Sequence, residues 1–318
     1  MSDQKMYLNE AVSHPLFHEI GREADALHLP VYVIGGYVRD YLLTDRLNKD
    51  IDFVAVGDVL RLVERLAEKW GIKKYPVYKN FGTAMLRHDG YILEFVGARK
   101  ESYVRDSRKP KVSPGTLEDD LRRRDFTINT LAIALNEQKF GELINPFNGL
   151  QDLENRIIRT PLDPDITFSD DPLRMMRAVR FATVLDFRIH PHTAEAIRRN
   201  AHRLEIVSPE RIIDEFNKIL LSRQPSKGLR LLYELDLLDK FLPEITALQG
   251  VEENEGKTHK DNFYHTLEVV DNIARVDKEG NLWLRWAALL HDIGKPATKR
   301  YHPKNGWSFT VMNSWVPK

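Results

Sequence analysis

Apolar residues recur with two different periods along this chain, and the change of period divides it. In the first half the apolar runs are short. Val31 to Ile34 is one such run, ended by Gly35-Gly36, and Ile51 to Val56 reads as a strand stopped by Gly57. Asp58 then caps a helix whose apolar residues Val59, Leu62, Val63, Leu66 and Trp70 recur at steps of three and four, with Gly71 as its stop. Thr83 to Leu86 and Tyr91 to Val96, joined through Asp89-Gly90, predict a β-hairpin. From about Asp163 the strand signal disappears. Helical periodicity takes over through Leu173 to Leu185, Pro191 to Asn200, Pro209 to Leu221, Lys227 to Leu238 and Phe263 to Val276. Asp163-Pro164 marks the predicted hinge. The pattern predicts an α+β protein, a small mixed sheet flanked by helices followed by an all-α body.

Length and composition fit that picture. At 318 residues the chain has room for about two domains, and 42% hydrophobic with 30% charged residues is a globular balance. The absence of cysteine excludes thiolate metal sites, thiol catalysis and disulfides, and fits a reducing compartment. No apolar run approaches eighteen residues, and Met1 to Glu10 lacks the basic cap and apolar core of a signal peptide, so a cytoplasmic protein is expected. Forty-seven basic residues balance forty-seven acidic ones, so a polyanion would have to meet a local patch. Two stretches qualify. Arg99, Lys100, Arg105, Arg108, Lys109 and Lys111 crowd one segment. Arg174, Arg177, Arg180, Arg188, Arg198, Arg199, Arg203 and Arg211 line another, and arginine's planar fork suits phosphates and base edges. A solvated helix face is the alternative reading of either.

The chemistry concentrates in Val33-Ile34-Gly35-Gly36-Tyr37-Val38-Arg39-Asp40 and, close behind, Asp50-Ile51-Asp52. Gly35 and Gly36 after a strand permit close approach of a triphosphate, a helix beginning near Tyr37 points its first N–H groups at that anion, and Arg39 adds positive charge. Asp50 and Asp52, two apart on a strand, share a face. Two hard oxygen ligands side by side suit a pair of Mg²⁺ ions about 4 Å apart, as in-line phosphoryl transfer needs. Glu94, alternating with Leu93 and Phe95, is the candidate third carboxylate.

Gly35-Gly36, thirteen intervening residues and Asp50-Ile51-Asp52 resemble the signature of the DNA polymerase β nucleotidyltransferase superfamily. The form with Val38-Arg39-Asp40 is similar to that of class II tRNA nucleotidyltransferases (CCA-adding enzymes) and bacterial poly(A) polymerases. Asp120-Leu121-Arg122-Arg123-Arg124-Asp125-Phe126-Thr127-Ile128-Asn129 resembles the family motif that contacts the sugar and triphosphate, which implies nucleotide-binding roles for Arg123, Arg124, Asp125 and Asn129. Asn145 to Arg159 resembles the head-to-neck connector. Ser169 to Phe181 resembles the nucleobase-reading helix, implying roles for Asp171, Arg174, Arg177 and Arg180, although the family usually has glutamate where this chain has Asp170. On this helix Pro172 suits the first helical position with Asp171 as N-cap. A carboxylate accepts from an exocyclic amine while a guanidinium donates to the adjacent ring nitrogen, a pattern that cytosine and adenine share and uracil and guanine reverse.

The resemblance implies a catalytic head over residues 1–160, a helical neck and body over 161–250 and a helical tail over 251–318. It further implies Mg²⁺-dependent addition of C and A to the tRNA 3′ end from CTP and ATP, with pyrophosphate leaving. A poly(A) polymerase, or an enzyme adding only A or only CC, shares the same motifs. In the tail, His265 and the pair His291-Asp292 resemble the start of an HD-type metal phosphohydrolase domain, which is the alternative from another class. Residues 293–318 offer no aspartate and only His302, and Thr310 to Val316 does not resemble the Gly-His-Glu stretch of that family, so an incomplete HD-like tail is expected.

Overall fold

A computed structural model describes residues 5–104, 107–250, 253–254, 257–258, 261–302 and 306–309. The chain divides into two compact units, Met1–Asp170 and Asp171–Lys318.

The first unit runs α1 (Pro15–Ala26), β1 (Val31–Ile34), α2 (Gly36–Thr44), β2 (Asp50–Ala55), α3 (Val59–Lys69), β3 (Val77–Tyr78), β4 (Thr83–His88), β5 (Tyr91–Gly97), β6 (Arg99–Val104) and β7 (Ser107–Pro114). It continues with α4 (Leu117–Arg122), β8 (Ala132–Ala134), β9 (Leu143–Ile144), α5 (Gly149–Glu154), β10 (Ile157–Ile158) and α6 (Pro164–Asp170). Seven strands form one sheet in the order β3-β4-β5-β2-β1-β8-β9. Its pairings are antiparallel except β2 against β5, which run parallel because α3 carries the chain across. The predicted hairpin is present, and Asp89 and Gly90 both take positive φ (50° and 77°), as a tight two-residue turn requires.

Burial sorts these elements as the pattern foretold. Helix α3 buries Val59, Leu62, Val63, Leu66 and Ala67, each stabilising by about 1–3 kcal/mol, and Asp58 accepts a hydrogen bond from the Arg61 N–H at 3.3 Å. Strand β2 buries Ile51 and Phe53 and leaves Asp50 and Asp52 exposed. Beneath one edge Ile34, Val54, Ala98, Leu121 and Ala132 pack together, so the strand carrying the acidic pair and the helix carrying Arg122 share one apolar foundation.

The second unit runs α7 (Leu173–Val184), β11 (Arg188–Ile189), α8 (Pro191–Asn200), α9 (Pro209–Leu220), α10 (Pro225–Glu234), α11 (Pro243–Thr246), β12 (Glu253–Asn254) and β13 (Lys257–Thr258). Next come α12 (Asn262–Val276), α13 (Leu282–Leu290), α14 (Lys295–Thr298), β14 (Lys299–His302) and β15 (Gly306–Phe309). Three details correct the sequence reading. Strands do not vanish after Asp163: β12 pairs with β13, and β14 with β15. Helix α10 starts at Pro225 rather than Lys227 and ends at Glu234, because proline is tolerated in the first turn, where no intrahelical N–H bond is lost. Helix α7 starts one residue later than expected. Pro172, not Asp171, is its cap residue, and the Asp171 carboxylate instead accepts from the Leu173 N–H at 3.2 Å.

Candidate active site

The head site grows from the end of β1. There Gly35 takes φ +71°, which L side chains rarely adopt, and a Cβ on it would lie 3.3 Å from Arg124 Nη1 and 3.8 Å from Asp52 Oδ2. Only a glycine leaves this space open between the arginine and the carboxylate. Helix α2 begins at the next residue, so its unbonded N–H groups open beside the same gap.

Antiparallel pairing places Asp52 opposite Ile34, and parallel pairing places Glu94 opposite Asp52. Asp50, Asp52 and Glu94 therefore stand on one stretch of sheet. Burial, with Asp50 adding repulsion, raises the Asp52 carboxyl above its ordinary value, and Arg124 partly offsets this. Burial raises Glu94 also, with the Asp52 charge adding to it. The carboxylates are not drawn within 4.8 Å of one another as a trio. As a donor set they fit a hard divalent cation: three carboxyl groups whose mutual repulsion such an ion would relieve.

Opposite them, Asp120 is fully buried. Arg123 Nε donates to its Oδ1 at 3.1 Å, and Arg123 Nη2 reaches the same oxygen, while Arg124 Nη2 donates to Oδ2 at 3.2 Å. Arg124 Nε is buried without a hydrogen-bond partner. Asp125 accepts from the Phe126 N–H at 2.8 Å and from Asn129 Nδ2 at 2.9 Å. Arg39 donates to Asn129 Oδ1 at 2.7 Å through Nη1, and to Asp40 Oδ1 at 2.7 Å through Nε. Asn48 donates to the other oxygen of Asp40 at 2.7 Å. Gly35, Gly36, Arg39, Asp50, Asp52, Arg124, Asp125 and Asn129 are thus gathered around one end of β1, with Arg123 attached through Asp120. Arg39 is turned toward Asn129 and Asp40, a bracing position. Sequence reasoning assigned no role to Asp120, Asp40 or Asn48. The spacing of Asp120 to Arg123 and Arg124, three and four residues along one helical turn, was the available signal.

Of the basic stretch beyond β5, Arg105 lies outside the described residues. The backbone on either side forms the β6–β7 hairpin.

On α7 the residues 171, 174, 177 and 180 are half-buried while their neighbours are buried, which makes a polar stripe along an otherwise interior helix. Asp171 pairs with Arg211 Nη2 at 3.0 Å. Arg180 is fixed on buried Glu215 and lies over the Phe181 ring at 4.0 Å, with the Arg177 guanidinium at 5.4 Å from the same ring. Arg180 therefore braces α7 against α9.

In the tail, His265 on α12 and His291 with Asp292 at the end of α13 offer ligand atoms that all lie within 4.8 Å of one another. His291 Nε2 is 3.1 Å from Asp292 Oδ2, and Lys295 Nζ donates to that same oxygen at 2.6 Å. The segment Thr310 to Val316 lies outside the described residues.

A glycine-opened gap, an acidic sheet edge and a buried acid holding two arginines define a nucleotidyltransferase head. Family models agree: residues 31–159 match the poly A polymerase head domain, 186–249 the probable RNA and SrmB-binding site of polymerase A, and 262–313 the HD domain. The chain is 38% identical over 264 residues to an A-adding tRNA nucleotidyltransferase of Aquifex aeolicus, covering 82% of this chain and 31% of that one. It is 35% identical over 295 residues to a multifunctional CCA protein of Stenotrophomonas maltophilia, covering 90% and 68%. A crystal structure of a tRNA nucleotidyltransferase complexed with a primer tRNA and an incoming ATP analog superposes with TM-score 0.67 at 32% identity, covering 85% of this chain and 74% of that one. The chain belongs to the tRNA nucleotidyltransferase and poly(A) polymerase family. It spans about a third of the length of the Aquifex relative. Among the described residues, no helix is long and apolar enough to cross a membrane.

Proposed function

We propose that this protein adds C and A to the 3′ end of tRNA from CTP and ATP without a nucleic-acid template, releasing pyrophosphate. The observation that carries this reading is the convergence of Asp52, Gly35 and Arg124 at one end of β1. Residues 1–160 act as the catalytic head, 161–250 as the neck and body that recognise the base and the tRNA, and 251–318 as a tail with an incomplete HD-like site.

Asp50 and Asp52, with Glu94 beside them, would hold Mg²⁺, which when bound lowers the pKa of the RNA 3′-hydroxyl and neutralises the triphosphate. The protein's own groups do the positioning. Gly35 and Gly36 admit the polyphosphate, Arg124 and Arg123 balance its charge, and Asn129 and Asp125, braced through Arg39, orient the sugar. Asp171 accepts from the exocyclic amine of cytosine or adenine and Arg174 donates to the adjacent ring nitrogen, with Arg211 orienting the Asp171 carboxylate. His265, His291 and Asp292 form a second candidate metal group in the tail.

The test is incubation of purified protein with tRNA lacking its end and each nucleotide in turn. Ordered addition of C, C and A is expected, and Asp50→Ala is expected to abolish incorporation while leaving tRNA binding nearly intact; retained turnover in that variant overturns the metal assignment. A second reading, addition of A alone, is favoured by the name of the Aquifex relative. It predicts incorporation only into tRNA already ending in CC.

A further inference from the structure

In the second unit, the turn from α9 to α10 and the turn from α12 to α13 enclose a cavity of about 520 Å³. Its lining includes Ser222, Arg223, Arg275, Asp277, Lys278 and Arg285. Two of these are unusual. Ser222 is only 8% exposed and Arg285 only 3%, yet Ser222 Oγ and Arg285 Nη1 are both buried without a hydrogen-bond partner. Buried polar groups are normally satisfied, so two orphaned donors in the wall of one cavity point to a ligand that accepts hydrogen bonds.

The charges say which kind. Asp277 is the one acid in the lining, and it is fully engaged: Arg285 Nε donates to its Oδ2 at 2.9 Å, Arg285 Nη2 to its backbone oxygen at 3.3 Å, and the Asn281 N–H to Oδ2 at 2.8 Å. This fixes Arg285 in place and leaves only Nη1 unsatisfied. Arg223 and Lys278 are exposed and have no ionic or hydrogen-bonded partner among the described residues. Arg275 is held by Asn272 at 2.9 Å. An adjoining cleft shares Arg223 and Arg275 and adds Lys227, already paired with Asp186. Helix α10 opens two residues past Arg223 and brings its positive end to the same place. Four cations against one committed carboxylate, with two buried donors from different segments, match an anion with several oxygens around one centre.

We propose that this cavity binds a phosphate group, either as the free ion or as a phosphodiester of an RNA backbone. The inference does not depend on the reading of the head site, since every group it uses lies on α9, α10, α12, α13 and their turns.

The test is a titration of the full-length protein with inorganic phosphate at low ionic strength. Saturable binding is expected, competed by sulfate and not by chloride. It is expected to weaken at least tenfold in the rim variant Arg223→Ala/Lys278→Ala and severalfold in Ser222→Ala, while ATP binding at the head is unchanged in both. Because the rim residues are exposed, the double variant keeps the test valid even if Ser222→Ala misfolds. A short RNA duplex separates the two sources: RNA affinity that falls in the rim variant and is competed by phosphate assigns the phosphodiester, and RNA affinity untouched by that variant assigns the free ion. Phosphate titrations that superimpose for the wild type and the rim variant, or that never saturate, overturn the proposal.

Discussion

Asp52 is pulled in opposite directions by its surroundings. Burial and the Asp50 charge raise its pKa, and Arg124 lowers it. A carboxyl whose folded pKa exceeds its unfolded value binds more protons in the folded state, so folding stability is gained as pH falls through the folded pKa and is lost again above it. Asp52→Asn, which cannot ionise, is therefore expected to melt at a higher temperature than wild type at pH 7 and at nearly the same temperature near pH 4, with incorporation abolished throughout. Thermal melts at the two pH values check the sign. Gly35 is equally constrained: Gly35→Ala forces a side chain into φ +71° at a cost of about 1–2 kcal/mol and pushes on Arg124, so a roughly tenfold rise in nucleotide KM is expected from steady-state assays. Both residues were legible in the sequence, because the glycine pair and the alternating acids sit in short contiguous motifs. Asp120 was not. In the run Glu118-Asp119-Asp120 it reads as one more solvated charge, and its burial depends on packing that no local pattern encodes.

Helix α7 illustrates how one element can carry both packing and recognition. Every third position from 171 to 180 is polar while the residues between are buried, so the helix turns a narrow charged edge outward and keeps the rest inside. The edge is held by ion pairs at both ends, Asp171 with Arg211 and Arg180 with Glu215, and both partners come from α9. Glu215 is 4% exposed, and Arg180 would lose its counter-charge in Glu215→Ala. That substitution is expected to destabilise the protein by about 3–5 kcal/mol in denaturant melts, more than Arg211→Ala at the exposed end, which is expected to cost under about 1 kcal/mol. Helical periodicity revealed α7 and α9 from sequence to within a residue or two. It did not reveal that Arg180 serves packing, since arginines on one stripe look alike until their partners on another helix are known. Helix α10 was misplaced for a related reason: its proline was read as a break where the structure uses it as a start.

At the scale of the molecule, each unit carries its own charged site, the carboxylates and arginines of the first and the phosphate-matched cavity of the second. Calorimetry is expected to resolve this. ATP at a hundred times its Kd stabilises whatever binds it by about 2.7 kcal/mol, which should raise the transition belonging to the first unit and leave the second in place. A single transition moving as a whole would mean that the units unfold together. The cavity was invisible in the sequence because Ser222 and Arg285 are far apart along the chain, whereas the acidic pair of the head is separated by one residue. Strand order adds a last consequence. Asp52 and Glu94 meet at the sole parallel junction of the seven-stranded sheet, which closes only after α3 and the β4–β5 hairpin have been laid down between them. During synthesis the emerging chain must therefore hold Asp52 without its acidic neighbour for some forty residues, and the electrostatically costly corner of the head is completed late, once hydrophobic packing is in place to hold it shut.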